Sequence, residues 1–228
     1  MNIADRVNMV KDQLARAAES SGRTPDCIQL VAVSKYQSAD RVLEAYNAGC
    51  RHFGENYVQE AANKRAQLGL MTDATWHLIG GLQSNKSTLA AHTFDVIQTV
   101  DRAKLATALA AAASGQGKVL NVLLQVDLTG VDGRSGCAPA NIPALVDLVM
   151  QHPSLRLRGL MAMAPAGVGP TATQKAFALV RELHDALPKQ CQGVLSMGMS
   201  GDFPLAIAEG ATVVRVGTAI FGERPMVS

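Results

Sequence analysis

Six side chains and backbone positions in this 228-residue chain could do chemistry together. Lys35 follows seven largely apolar residues and precedes a turn. A lysine so placed keeps its stem in low dielectric, and desolvation lowers its pKa toward an amine able to attack an aldehyde. A lysine whose head snorkels to solvent fits the same position. Asn56, in GENY, offers an amide donor and acceptor, and suits a turn or a helix cap equally. Glu55 points the other way by strand alternation. Ser200 stands before Gly201 and Asp202 in MGMSGD. A hydroxyl beside the N–H groups of a helix start makes an anion site, and Asp202 also suits an N-cap. Arg215 interrupts the apolar run VVRVGTAIFG. A buried guanidinium requires a partner, either a carboxylate or a ligand. Gly217 permits close backbone approach, and Thr218 adds a hydroxyl. An amine facing such a grip fits a phosphorylated aldehyde, although no member of the set is specific alone.

Other residues carry weaker signals. His52 and His77 lie in or beside strands without metal-ligand spacing, and read as hydrogen-bonded structural histidines. His92, His152 and His184 read as surface residues on helices or their ends. Met161, Met163, Met197 and Met199 alternate on two strands, which suits core filling or, for one pair, lining of a mouth. Asp127 suits polar mouth lining. Cys27, Cys50, Cys137 and Cys191 lie far apart with no CxxC, as expected of reduced thiols rather than a disulfide framework or a zinc site.

The elements that position these residues alternate regularly. Strands are expected over 28–35, 52–57, 75–80, 94–100, 120–128, 155–164, 194–200 and 212–221. Helices are expected over 40–48, 58–68, 85–91, 102–113, 139–152, 173–187 and 202–209. The strands are nearly continuous apolar runs such as NVLLQVDL, the mark of a parallel sheet covered on both faces. Asp101 suits the N-cap of the helix that starts at Arg102, Gly49 and Gly210 suit C-caps, and Pro165–Pro170 reads as a long connector. Eight such units predict a (β/α)8 barrel, whose binding groups gather at strand C-termini and whose phosphate sites use the loops after strands seven and eight. Ile3, Val7, Val10, Leu14 and Ala17 recur at helical spacing, so an extra N-terminal helix is expected to cover the gap where no eighth full helix follows. An open doubly wound sheet competes, but no GxGxxG follows the first strand. No linker divides the chain, so residues 1–228 read as one domain.

Composition excludes several classes. Hydrophobic residues make up 48% and charged residues 18%, with net charge +2, which rules out disorder as the main state. Charges are scattered and aromatics are 4%, so there is no footprint for nucleic acid. No apolar stretch is long enough to span a membrane, and the charged N-terminus is no secretory signal. A cytoplasmic protein is expected.

Six segments carry a resemblance: AVSK (32–35), HFGENYVQE (52–60), WHLIGGLQSNK (76–86), RGLMAM (158–163), SMGMSGD (196–202) and RVGTAIFG (215–222). In sequence and order they resemble the pyridoxal phosphate homeostasis protein family, also called YggS or PROSC-like proteins. The resemblance implies a fold type III TIM barrel like the N-terminal domain of alanine racemase. It implies pyridoxal 5′-phosphate (PLP) held as an aldimine on Lys35, with Asn56 near the ring, Ser200, Gly217 and Thr218 on the phosphate, and Arg215 facing the pyridine nitrogen. It also implies a monomeric carrier or regulator of PLP without established turnover, with PLP-dependent apoenzymes as recipients. Two departures stand out: Gln37 in SKYQ and Arg134 in DGRSG replace lysines common in relatives.

An arginine at the pyridine nitrogen disfavours its protonation and weakens the ring as an electron sink. That favours a carrier over an enzyme. The alternative is a fold type III amino-acid racemase. Such enzymes take a second acid/base tyrosine from an additional domain, whereas this chain offers Tyr36, Tyr46 and Tyr57, of which Tyr36 and Tyr57 could approach the mouth. A phosphosugar-binding barrel without PLP is a third reading.

Overall fold

The computed structural model describes residues 1–69, 71–131 and 135–223. Eight parallel strands close into a barrel in chain order: β1 (Gln29–Val33), β2 (His52–Glu55), β3 (Thr75–Leu78), β4 (Val96–Val100), β5 (Leu120–Val126), β6 (Leu155–Ala162), β7 (Val194–Ser196) and β8 (Val213–Val216). Closure is explicit at β1, where Ala32 pairs with Phe53 on one side and Val31 with Arg215 on the other. The open-sheet alternative is thereby excluded.

Around the barrel lie α2 (Ala39–Asn47), α3 (Val58–Gln67), α4 (Ser87–Thr93), α5 (Ala103–Gly115), α6 (Ile142–Met150), α7 (Pro170–Asp185), α8 (Phe203–Ala208) and the single turn α9 (Thr218–Phe221). They are preceded by α1 (Ile3–Ser20). A capping box between Asn2 and Asp5 starts α1. Its buried stripe is Ile3, Val7, Val10, Leu14 and Ala18, with Ala18 completing the face where Ala17 was expected. This stripe packs on α2, α8 and α9, so α1 covers the barrel where α9 is too short. The core lies between sheet and helices and includes Phe53, Trp76, Phe94, Leu105, Leu109 and Phe177, all essentially inaccessible.

The barrel lumen, by contrast, is polar. Gln98 of β4 reaches Ser196 of β7, a contact that only inward-pointing side chains on non-adjacent strands can make.

Four expectations on the elements need correction. The expected strands overrun the observed ones: Lys35 lies two residues past β1, Asn56 one past β2 and Ser200 four past β7. After β7 the chain turns at Gly198, whose φ of +89° cannot continue a ladder. Residues 218–221, expected as strand, are the helical turn α9. Asp101 does not cap α5: its carboxylate is taken by Arg102 and by the Gly136 N–H. His184, expected at the surface, is buried on the inner face of α7. Gly49 and Gly210 do take left-handed conformations after helices, at φ +86° and +93°. All four cysteines are free thiols, and only Cys27 is exposed. Among the described residues, no helix is long and apolar enough to cross a membrane, and no cluster suits a metal ion.

Candidate functional site

At the C-terminal mouth of the barrel a cleft of about 240 Å³ is lined by Lys35, Gln37, Ser200, Arg215, Gly217 and Thr218, with Val33, Met199, Gly201, Phe221 and Gly222 completing the wall. Five of the six candidate site residues therefore share one cavity. The sixth, Asn56, is half-buried just past β2 and is not among the lining residues. Its backbone is packed against Gly80, where an added Cβ would lie 2.4 Å from the Asn56 carbonyl oxygen.

Lys35 sits in a turn whose geometry is heavily constrained. Tyr36, the next residue, has φ +62°, a left-handed conformation that a bulky L-residue adopts only when its surroundings enforce it. Those surroundings are charged and buried. The Tyr36 N–H donates to Glu60 Oε1 at 2.6 Å. Lys64 Nζ donates to the Ser34 carbonyl (2.6 Å), Glu55 (2.8 Å) and Glu60 (2.7 Å). Ser34 Oγ donates to Glu55 at 2.7 Å, and the Ser34 N–H to the Gly54 carbonyl at 2.9 Å. Glu55 is fully buried. Burial pushes its carboxyl pKa up, opposed by Lys64 and by the Ser34 hydroxyl. Glu55 points away from the lumen, as alternation predicts, and becomes the anchor of the Lys35 turn. Neither Glu60 nor Lys64 was singled out from the sequence. The signal was present, since Glu60 and Lys64 are an i,i+4 pair on α3.

The opposite wall comes from the loops after β7 and β8. Gly217 packs on Val33, where an added Cβ would lie 3.3 Å from the Val33 side chain, so a side chain there would press on β1. This close approach places Thr218, the first residue of α9, in the cleft wall with Lys35. Asp202 stands at the start of α8, but its side chain accepts from the Met199 N–H at 2.6 Å and makes no cap bond to the helix. It orders the Met199–Gly201 loop instead.

Arg215 is 3% exposed. Its partners in the protein are neutral oxygens rather than a carboxylate: Nη1 donates to Ser196 Oγ at 2.7 Å and Nη2 to the Ala162 carbonyl at 2.9 Å. Burial pulls its pKa down to about 10, partly offset by Asp202, so it remains a cation at neutral pH. No carboxylate lines the cleft among the described residues. With Lys35 and Arg215 as its charged side chains, the cleft favours an anion.

Gln37, which replaces a lysine common in relatives, is buried in the cleft wall, and its Oε1 has no hydrogen-bond partner among the described residues. Arg134 lies outside the described residues. Met199 lines the cleft and Met161 and Met197 are core, while Met163 is exposed. At the rim, the Tyr36 and Tyr57 hydroxyls are 2.5 Å apart. Tyr46 is bonded to Asp73 instead. Asp127 accepts from the N–H and hydroxyl of Thr129, ordering the turn after β5.

The chain matches the family model for the alanine racemase N-terminal domain over residues 9–225. It is 46% identical over 222 residues to the pyridoxal phosphate homeostasis protein of Pseudomonas aeruginosa, covering 97% of this chain and 96% of that one. The protein of the same name from Escherichia coli is 43% identical over 231 residues, covering 98% and 97%. Among solved structures, PipY of Synechococcus elongatus is 43% identical, with 97% of this chain and 100% of that chain covered. Its TM-score is 0.87 without PLP and 0.85 with PLP bound. Alanine racemase from Bartonella henselae, at 18% identity and TM-score 0.72, shares the fold. The chain belongs to the family of the alanine racemase N-terminal domain and, within it, to the pyridoxal phosphate homeostasis proteins.

Proposed function

We propose that this chain binds PLP in the Lys35 cleft and acts in PLP homeostasis, holding the cofactor for apoenzymes rather than turning over substrate. One observation carries the reading. Lys35, Ser200, Arg215, Gly217 and Thr218, which between them carry an amine, two hydroxyls, backbone N–H groups and a guanidinium, line one cavity with no carboxylate among the described lining residues. This donor set fits a phosphorylated aldehyde. When bound, PLP supplies an aldehyde that condenses with an amine and a ring that delocalises negative charge.

The residues of this chain divide the work. The Glu55–Lys64–Glu60 cluster fixes the turn that presents Lys35 to the cleft. Ser200, Gly217 and Thr218 offer neutral donors to an anion. Arg215, cationic and donor-only, holds off a proton from any base placed beside it, which weakens a ring there as an electron sink. Asn56 orients the ring from the β2 side in this reading. Relatives named for homeostasis, and a neighbour with PLP bound, support it. A cytoplasmic, monomeric, one-domain protein is part of the same proposal.

Reduction of the PLP-loaded protein with borohydride, followed by peptide mapping, tests the attachment. Label on Lys35 and loss of the visible band in Lys35→Ala are expected, and label on another lysine overturns the assignment. The racemase alternative rests on the Tyr36–Tyr57 pair at the rim. Chiral chromatography of single-enantiomer amino acids incubated with the loaded protein separates the two readings. No sustained interconversion is expected, and steady racemisation would favour the enzyme.

A further inference from the structure

At the opposite, N-terminal end of the barrel lies a second cavity, of about 210 Å³. It is lined at the strand starts by Gln29, His52 and Thr75, by Asn121 of β5 and Arg158 of β6, and by apolar Val96, Leu123, Val194 and Val213. His77 and Gln98 form its inner end. No carboxylate lines it among the described residues, and the side chains of Gln29, Asn121 and Arg158 make no hydrogen bond to a described residue.

A continuous hydrogen-bonded line joins this chamber to the Lys35 cleft. Arg215 Nη1 donates to Ser196 Oγ (2.7 Å), and Ser196 donates to Gln98 Oε1 (2.7 Å). Gln98 Nε2 stands 3.0 Å from His77 Nδ1, and His77 Nε2 stands 3.1 Å from His52 Nδ1. A guanidinium has donors only, so Ser196 Oγ accepts from Arg215; Ser196 gives its own proton to Gln98 Oε1, and the Gln98 amide so oriented sets the next link. Gln98 presents its NH2 to His77, so His77 accepts at Nδ1 and carries its proton on Nε2. His52 in turn accepts at Nδ1 and, when neutral, carries its proton on Nε2. Burial and the neighbouring His52 hold the His77 pKa at about 3, which keeps the ring neutral at neutral pH, and the Gln98 NH2 at Nδ1 fixes its tautomer. The far end of the line is therefore a donor, next to the Arg158 cation and two amides.

We propose that this chamber binds a short-chain aliphatic carboxylate, and that the line from His52 to Arg215 reports its occupancy to the cofactor cleft. The donors and Arg158 favour an anion. The four apolar residues give a hydrocarbon tail a wall that inorganic phosphate could not use. The size agrees, since a dry cavity of about 150 Å³ accommodates a six-carbon ring. Binding itself rests on this chamber alone and not on the proposed PLP site.

Butyrate titrated into the full-length protein, with the imidazole resonances of His52 and His77 and the Nε–H of Arg215 followed by NMR, is the test. Butylammonium and inorganic phosphate serve as matched probes. We expect saturable millimolar shifts of both histidines with butyrate, a midpoint raised at least tenfold in Arg158→Ala, and an unchanged midpoint in Lys35→Ala. Arg215 should shift with the same midpoint, and that shift should vanish in Ser196→Ala while the histidine shifts persist. Equal binding of butylammonium or phosphate overturns the carboxylate assignment. Loss of the histidine shifts in Lys35→Ala places the anion in the other cleft and overturns the chamber. An Arg215 signal that stays still while the histidines titrate overturns the coupling.

Discussion

Lys64 bonds two carboxylates and the Ser34 carbonyl while itself 93% shielded, since its side chain is only 7% exposed. Removing it leaves the buried Glu55 carboxyl without its cation, bonded only by the Ser34 hydroxyl among the described residues. Lys64→Met is expected to cost about 3–5 kcal/mol in urea unfolding, and adding Glu55→Gln should recover much of that loss. A double-mutant cycle in which the two losses simply add would contradict the coupling. His77 supplies a second residue-scale prediction. Its pKa falls from an ordinary 6.5 to about 3 because burial and His52 both oppose its charge. Between those values the unfolded chain binds a proton there and the folded chain does not. The contribution of His77 to stability is therefore complete above pH 6.5 and declines as pH falls toward 3, by about 1.4 kcal/mol per pH unit. Stability curves from pH 6.5 to 4 should be flatter in His77→Gln than in the unchanged protein, whatever the offset between them.

The mouth is shaped by where strands stop. β7 is only three residues long, and Gly198 turns the chain toward Ser200 with a φ of +89°. An added Cβ there would lie 2.7 Å from the Ala206 Cβ and 2.8 Å from the Phe203 Cα, both on α8. Gly198→Ala should therefore displace the β7–α8 loop and cost about 1–3 kcal/mol from the backbone conformation alone, before any clash. The expected readout is a loss of PLP affinity larger than that of a mouth-distant variant of matched stability. Equal affinities would show that the loop does not position Ser200.

Seen as a whole, the barrel is sealed laterally by α1. Leu14 is buried in the α1 stripe and is 6% exposed. Leu14→Ala should cost about 2–5 kcal/mol by denaturant unfolding, in the range of other core truncations. A cost below 0.5 kcal/mol would mean that α1 is only loosely attached. The same global closure gives the molecule two chemically different ends, a cleft with Lys35 and a chamber with His52, joined through a polar lumen.

Sequence alone determined the alternation of strands and helices, the barrel, the amphipathic α1, and five residues that meet at one mouth. These are legible because apolar periodicity is a local property, and because strand order in a closed parallel barrel follows chain order. Strand ends were overrun, since apolar residues continue past the ladder and only the departure of the neighbouring strand stops it. The neutral partners of Arg215, the left-handed Tyr36 and the burial of His184 depend on what lies opposite each residue across the lumen or beneath a helix. So does the line from Arg215 through Ser196, Gln98 and His77 to His52, whose members come from five different strands and meet only once the barrel closes.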